Sequence, residues 1–271
     1  MNPQSQSSWL KNVRAAACVA LLALPLNVSA GIAEGLGWLA TQPNANGSFG
    51  GTPASLATEV RSTAEVVRAY QELGQQSQPS YAAALNYLNS DTATQTRFLA
   101  GKILINAQAG NDVTAWVNEL LTHQNADGSF GDQVGYGSSV LDTTFALQAF
   151  AATNTTDGVA QAVGFLLSRQ QAAGGWADGD NEPSVHLTAQ AFRALWSYRN
   201  NYIGVNAALG KAQNFLLSRQ DASGAWSENF NTALALIALI PHVTDLSLVN
   251  ASVSTLQTAQ LANGSWDDDL K

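Results

Sequence analysis

"SRQQAAGGWAD", Ser168 to Asp178, and "SRQDASGAWSE", Ser218 to Glu228, are one phrase written twice. A Gln is followed six residues later by a Trp that stands two residues beyond a Gly. The same phrase occurs as "ATQPNANGSFG" (Ala40 to Gly50), "THQNADGSFG" (Thr122 to Gly131) and "AQLANGSWDD" (Ala259 to Asp268). The Gln positions are Gln42, Gln124, Gln170, Gln220 and Gln260, and the aromatics are Phe49, Phe130, Trp176, Trp226 and Trp266. Aromatic-to-aromatic gaps are 81, 46, 50 and 40 residues. The first gap is long enough for two units, and Pro79 to Ala107 fills it with two helical stretches and no Gly-aromatic turn. Six units of this length are the signature of a repeat array.

Each unit has one grammar. An amphipathic stretch such as "AVGFLLSRQ" (Ala162 to Gln170) or "AQNFLLSRQ" (Ala212 to Gln220) repeats its apolar residues at helical spacing and runs into the phrase. The Gly-rich turn ends that helix. A second stretch follows that is apolar on most faces, as in "SSVLDTTFALQAFAAT" (Ser138 to Thr153), and a helix of that kind is buried. The spacing predicts outer helices near 32–41, 80–89, 112–123, 157–170, 204–220 and 247–260. Inner helices are predicted near 55–73, 92–108, 138–153, 184–199 and 229–240. A sixth inner helix is expected just beyond Trp266, where the given sequence ends, so the array is expected to lack it or to be the N-terminal part of a longer protein.

Aligned on their small residues, the inner stretches share a Thr column: Thr63, Thr96, Thr143, Thr188 and Thr232. The residues just before it, Ser62, Gln95, Asp142, Leu187 and Asn231, are read as helix N-caps, because Ser, Asp and Asn favour that position. The phrase itself reads as a staple. The Gln amide can bond backbone groups left open at a helix end, the Gly permits the turn, and the aromatic covers the seam between hairpins.

The pattern of a Gln and then Gly-x-Trp/Phe, closing one helix and opening the next, resembles the QW repeat of squalene and oxidosqualene cyclases. It is similar to the repeat of prenyltransferase β-subunits. The likeness covers most of residues 31–271, with five phrases in register. It implies an all-α fold, the α/α toroid, in which inner and outer helices alternate around a ring.

Composition bounds the function. The chain has 271 residues, 46% hydrophobic and 12% charged, with a net charge of −8. Scattered Lys and Arg in an acidic chain give no footprint for nucleic acid and no polybasic membrane patch. Residues 1–30 read as a signal peptide: Lys11 and Arg14, an apolar run from Ala15 to Leu26 too short to span a bilayer, and a Val28-Ser29-Ala30 ending. Cleavage after Ala30 would leave residues 31–271 as one repeat domain, secreted or periplasmic, with no membrane span. That product carries 10 basic and 20 acidic residues, a charge of −10, and no Cys, since Cys18 is the only one.

The resembling families carry chemical signatures that this sequence lacks. Class II terpene cyclases use an Asp-x-Asp-Asp motif, in which one carboxyl group stays protonated. Here "WDDD" (Trp266 to Asp269) has Trp at the first position, and "ADGDNE" (Ala177 to Glu182) does not match either. Protein prenyltransferases bind zinc through Asp, Cys and His, and residues 31–271 have no Cys. Few inner-helix aromatics remain to line a cavity for a cationic polyene: Phe98, Phe145, Phe192 and Trp196.

Glu59, Arg61, Arg97, Asp142 and His186 lie where inner helices begin, at the expected mouth of the ring. Two carboxylates with a base there could serve a glycoside hydrolase or lyase; the same residues could equally be solvated helix-start groups. Asp178, Asp180 and Glu182 supply oxygen ligands of the kind Ca²⁺ takes, though without EF-hand spacing. The sequence therefore points to a ligand- or partner-binding domain of an envelope or extracellular protein. A terpenoid-cyclase-like enzyme and a polysaccharide-active enzyme stand as alternatives.

Overall fold

The computed structural model describes residues 27–51, 58–243 and 246–266. Every regular element among them is a helix. The order is α1 (Asn27–Leu39), α2 (Glu59–Glu72), α3 (Pro79–Ser90), α4 (Thr96–Ala109), α5 (Thr114–Leu121), α6 (Val140–Thr153), α7 (Val159–Arg169), α8 (Val185–Trp196), α9 (Val205–Ser218), α10 (Asn229–Leu239) and α11 (Leu246–Ala259). Even-numbered helices match the predicted inner set and odd-numbered ones the outer set. The degenerate unit is present as α3 and α4. Residues 1–26 of the expected signal peptide lie outside the described residues, and the expected cleavage point after Ala30 falls inside α1. No helix among the described residues is long and apolar enough to cross a membrane.

The chain divides into two compact units. In the unit of residues 43–219, α2, α4, α6 and α8 pack side by side in succession. Outer helices α3, α5, α7 and α9 each pack on the inner helix before them. The inner layer is buried because its sequence is apolar nearly all round. On α6 that buries Val140, Ala146, Leu147, Ala149 and Phe150, and on α8 Ala189, Ala191, Phe192, Ala194 and Leu195. In the other unit, residues 1–42 with 220–270, α11 packs on both α10 and α1.

The phrases join these hairpins. Gln124 Nε2 donates to its own turn at Gly128 O (3.0 Å) and to the next outer helix at Gly158 O (2.7 Å). Gln170 does the same with Gly174 O and Ala208 O, both 2.8 Å. Gln220 reaches Gly224 O (3.2 Å) and the Ser252 hydroxyl (2.9 Å). Gln260 reaches Gly264 O and, on α1, Gly31 O, both 2.9 Å. So α1 serves the last phrase as the next outer helix serves each earlier one. The first copy departs from this pattern: Gln42 Nε2 donates to the Thr41 hydroxyl. The phrase Gly is required twice over. Gly174 sits at φ 94°, and a Cβ there would lie 2.5 Å from the Lys211 carbonyl of the neighbouring helix.

The aromatics go inward except Trp266, which is 39% exposed. Phe130, Trp176 and Trp226 are almost wholly buried, and Phe130 meets Phe150 edge-on at 5.6 Å. Trp176 Nε1 donates to Leu166 O (2.7 Å) and Trp266 Nε1 to Leu256 O (2.6 Å), each near the C-terminal end of the outer helix before it. The aromatic main chain is held by the Thr column. The N–H groups of Phe49, Phe130, Trp176 and Trp226 donate to the hydroxyls of Thr63, Thr143, Thr188 and Thr232 at 2.8–3.1 Å.

This arrangement corrects the expected caps. The N-caps are Thr58, Gln95, Ser139, Ser184 and Glu228. Ser62, Asp142, Leu187 and Asn231 lie inside their helices, and the caps stand three or four residues before them, while α4 is capped at Gln95 without a side-chain bond. Thr58, Ser139 and Ser184 accept the N–H three residues on. The Thr column thus lies inside the first turn. There the Thr143 hydroxyl donates to Ser139 O (2.6 Å) while accepting from Phe130 N–H. Each such Thr fixes the rotation of its inner helix relative to the phrase.

Candidate functional site

The Thr bracket decides what each inner helix presents. Residues two before, two after and five after the Thr fall on one face, since i, i+4 and i+7 are neighbours on a helix. On α2 these are Arg61, Glu65 and Arg68; on α6, Leu141, Phe145 and Gln148; on α8, His186, Gln190 and Arg193. All but Gln190 are at least partly exposed although they lie within the inner layer. Thr96 of α4 is bound differently. Its hydroxyl donates to Gly131 O (2.5 Å) and meets His123 Nδ1 at 2.8 Å, so α4 has its own phase.

Arg97, on the first turn of α4, is the centre of the mouth cluster. Its Nε lies 3.0 Å from Asp142 on α6, and its Nη2 lies 3.7 Å from Asp132. Asp142 is the one buried carboxylate among the described residues. Burial pushes its carboxyl above the ordinary range. The Ser139 hydrogen bond and Arg97 pull the other way, and the charges of Asp132 and Asp178 add to the rise. The shift is upward despite an adjacent guanidinium because Arg97 stays partly solvated while Asp142 does not. His186 is held below the usual imidazole range, first by burial, then by Arg61, and further by Arg97 against the opposing pull of Asp178. A carboxyl and an imidazole are thus both biased toward their neutral forms in one electrostatic neighbourhood.

Of the five residues expected at the mouth, Arg97 and Asp142 are in contact, and Arg61 and Arg97 both act electrostatically on His186. Glu59 is drawn elsewhere. Its carboxylate accepts from the Ser48 and Tyr87 hydroxyls, both at 3.2 Å, and from Asn46 Nδ2 at 3.5 Å. It is not among the charges that act on Asp142 or His186. Tyr87 is pushed up to about 12, by burial first and then by Glu59.

The expected calcium ligands do not gather. No group of three acidic or His side chains among the described residues could hold a metal ion. Asp178 Oδ1 instead accepts the N–H of Val140 (2.8 Å), the first residue of α6. An open N–H at a helix start is a strong partner for a carboxylate, and that bond draws Asp178 away from Asp180 and Glu182.

Two acids of the cluster escaped the sequence reading: Asp132, not singled out at all, and Asp178, read as a metal ligand. Each stands two residues beyond a phrase aromatic and serves the inner helix of the preceding hairpin. Asp132 O accepts from Thr96 N at 2.8 Å, as Asp178 accepts from Val140. The signal available was the recurrence of an acid at that offset, in Asp132, Asp178, Glu228 and Asp268.

In the unit that holds α1 and α11, a groove of roughly 430 Å³ is lined by Glu34, Gly37, Trp38, Thr41, Gln42, Ala262 and Asn263. It has one charged group and no pair of groups that could move a proton.

No protein-family model matches the chain, and no curated protein matches its sequence. Solved structures do match it in three dimensions. A protein from Actinoplanes superposes with a TM-score of 0.72 at 17% identity, over 88% of this chain and 83% of that one. The type II terpene cyclase MstE from Scytonema, in its apo form, gives 0.68 at 15%, over 89% and 82%. The ent-copalyl diphosphate synthase from Streptomyces platensis gives 0.63 at 19%, over 77% of this chain and 45% of that longer one. At such identities the likeness is one of fold: the chain has the all-α, α/α-toroid fold seen in type II terpene cyclases.

Proposed function

We propose that the chain is an exported, non-catalytic ligand-binding domain built on the terpene-cyclase scaffold. Its ligand enters over the N-terminal ends of α2, α4, α6 and α8, which carry Arg61, Arg97, Asp142 and His186. The observation that carries this reading is the state of Asp142. It is clamped by Arg97 at 3.0 Å, and an Asp-x-Asp-Asp frame ending on it falls on Ser139, Val140 and Leu141. A carboxyl that must donate its proton to an alkene needs neighbours that keep it acidic and free; two of those positions are a capping hydroxyl and an aliphatic side chain. Fold alone assigns no chemistry. Export follows from Lys11, Arg14 and the Val28-Ser29-Ala30 ending, and N-terminal sequencing of the exported protein should begin at Gly31; a retained Met1 refutes it.

One observation favours a second reading. The Asp142 carboxyl, raised by burial, and the His186 imidazole, lowered by burial, are a proton donor and acceptor of the kind acid–base sites use. That would suit an acid-initiated cyclase. Incubating the protein with a linear polyprenyl diphosphate, with calorimetry for binding and mass spectrometry for products, separates the two. Binding without turnover supports the first reading. A cyclised product that disappears in Asp142→Asn overturns it in favour of the second.

A further inference from the structure

Below the mouth, α8 carries a second polar group that the cluster does not use. Arg193 follows His186 by seven residues on the same face, about 10 Å along the helix axis. Gln190 lies between them and is 5% exposed. Its Oε1 accepts from Arg193 Nη1 at 3.3 Å and, across to α6, from Gln148 Nε2 at 3.5 Å. Gln148 Nε2 is shared with Thr144 O on its own helix at 3.3 Å. With its oxygen held from two sides, Gln190 keeps its amide N–H groups for something else, and they have no partner among the described residues. Arg193 likewise spends one N–H on Gln190 and has no carboxylate within salt-bridge distance among the described residues. Arg68 on α2 and Arg97 on α4 both do.

Arg61, Arg169 and Arg219 also lack a carboxylate within salt-bridge distance among the described residues; Arg193 differs in lying against the buried Gln190. The partly exposed Arg193 guanidinium keeps its other N–H groups available to an anion. The donor set is specific in shape: a planar fork from Arg193 beside amide N–H groups from Gln190, which matches two carboxylate oxygens. The face of α6 at the same depth and nearer the mouth is apolar, with Leu141 and Phe145 partly exposed.

We propose that Arg193 and Gln190 bind the carboxylate of an amphiphilic organic acid, whose apolar part lies along Leu141 and Phe145 toward the mouth. This rests on the reading that the inner helices form a ligand site, and it gives that ligand's chemical class. Gln148 is a positioning residue, acting through the Gln190 oxygen.

The probe is octanoate, with 1-octanol and octyl sulfate as comparisons, titrated calorimetrically into the whole protein. Octanoate should bind at least tenfold more tightly than octanol and more tightly than octyl sulfate. Arg193→Met and Gln190→Met should each weaken octanoate at least tenfold and leave octanol unchanged. Arg193→Lys, which keeps the charge and loses the fork, should fall between. Arg68→Met should behave as wild type. Equal affinity for octanoate and octanol overturns the proposal. So does octanoate binding that survives Arg193→Met and is lost in Arg61→Met, which moves the acid to the mouth and leaves the binding function standing. Tighter binding of octyl sulfate overturns the carboxylate assignment. Failure of wild type to bind any of the three removes the ligand-site reading itself.

Discussion

Thr143→Val tests the bracket that sets the inner-helix rotation. The change is nearly isosteric, so it opens no cavity, but it removes a hydroxyl that makes two hydrogen bonds. The bond to Ser139 O is dispensable, because that carbonyl also receives Thr143 N–H within the helix. The bond from Phe130 N–H is not, because Phe130 is fully buried. Stranding a buried donor costs about 1–3 kcal/mol. For a domain of this size that lowers the melting temperature by roughly 2–4 °C per kcal/mol. The adjacent Thr144 is an internal control. It is equally buried, and its hydroxyl donates only to Leu141 O (2.7 Å), so Thr144→Val strands no N–H. Urea melts should therefore separate the two variants by about 1–2 kcal/mol, and hydrogen exchange should show the Phe130 amide losing protection only in Thr143→Val. Equal destabilisation by the two substitutions would mean that the hydroxyl matters through the helix alone. The bracket account would then be wrong.

Three further outcomes are expected. Trp226→Ala should cost about 3–5 kcal/mol in urea melts, as a large buried aromatic, and Gln220→Ala about 1–3 kcal/mol through its stranded acceptors; unchanged midpoints refute the staple. Stability should fall with acidification below about pH 6.5, because the folded imidazoles of His123 and His186 both titrate below the unfolded value. The unfolded chain then binds more protons in that window, and each pKa unit of difference is worth about 1.4 kcal/mol. His186→Gln should flatten the slope of melting temperature against pH, and an unaltered slope counts against burial as its cause. Arg97→Leu should destabilise the fold by removing the charge that faces the buried Asp142 carboxyl. It should also raise the Asp142 titration further, as read by carboxyl carbon shifts in NMR; a fall in that value refutes the pairing.

The helices were legible because period and punctuation agree. The phrase supplies a Gly that must turn and a Gln that ends a helix, and the inner stretches are too apolar to lie anywhere but in a core. Predicted and observed ends differ by no more than five residues, and at several starts the phrase passes straight into the inner helix. There the sequence shows two candidate hydroxyls per helix start, such as Ser139 and Thr143, and only packing shows that the first caps and the second brackets. The site was less legible because its geometry crosses repeats. Arg97 finds Asp142 some forty-five residues on, and Asp178 abandons its acidic neighbours for the N–H of Val140. Glu59 shares the helix-start position of the others, yet Ser48 and Tyr87 hold it out of the cluster. No spacing rule distinguishes those cases. The same holds for α1, whose attachment to Gln260 cannot be inferred from either segment alone.

That attachment has a consequence for how the molecule is made. Ordinary staples join residues 32 to 38 apart, whereas Gln260 and Gly31 are separated by 229. Loop-closure entropy makes the long one costlier by about 1.6–1.8 kcal/mol, growing as the logarithm of the separation. During synthesis each of those hairpins finds its neighbour within tens of residues, but α1 must wait until α11 is made, more than two hundred residues later. Until then the face it will cover on α11 does not exist, and its own apolar side stays available to anything that handles nascent chains. α1 thus precedes the partner that secures it by more chain than any other stapled helix among the described residues.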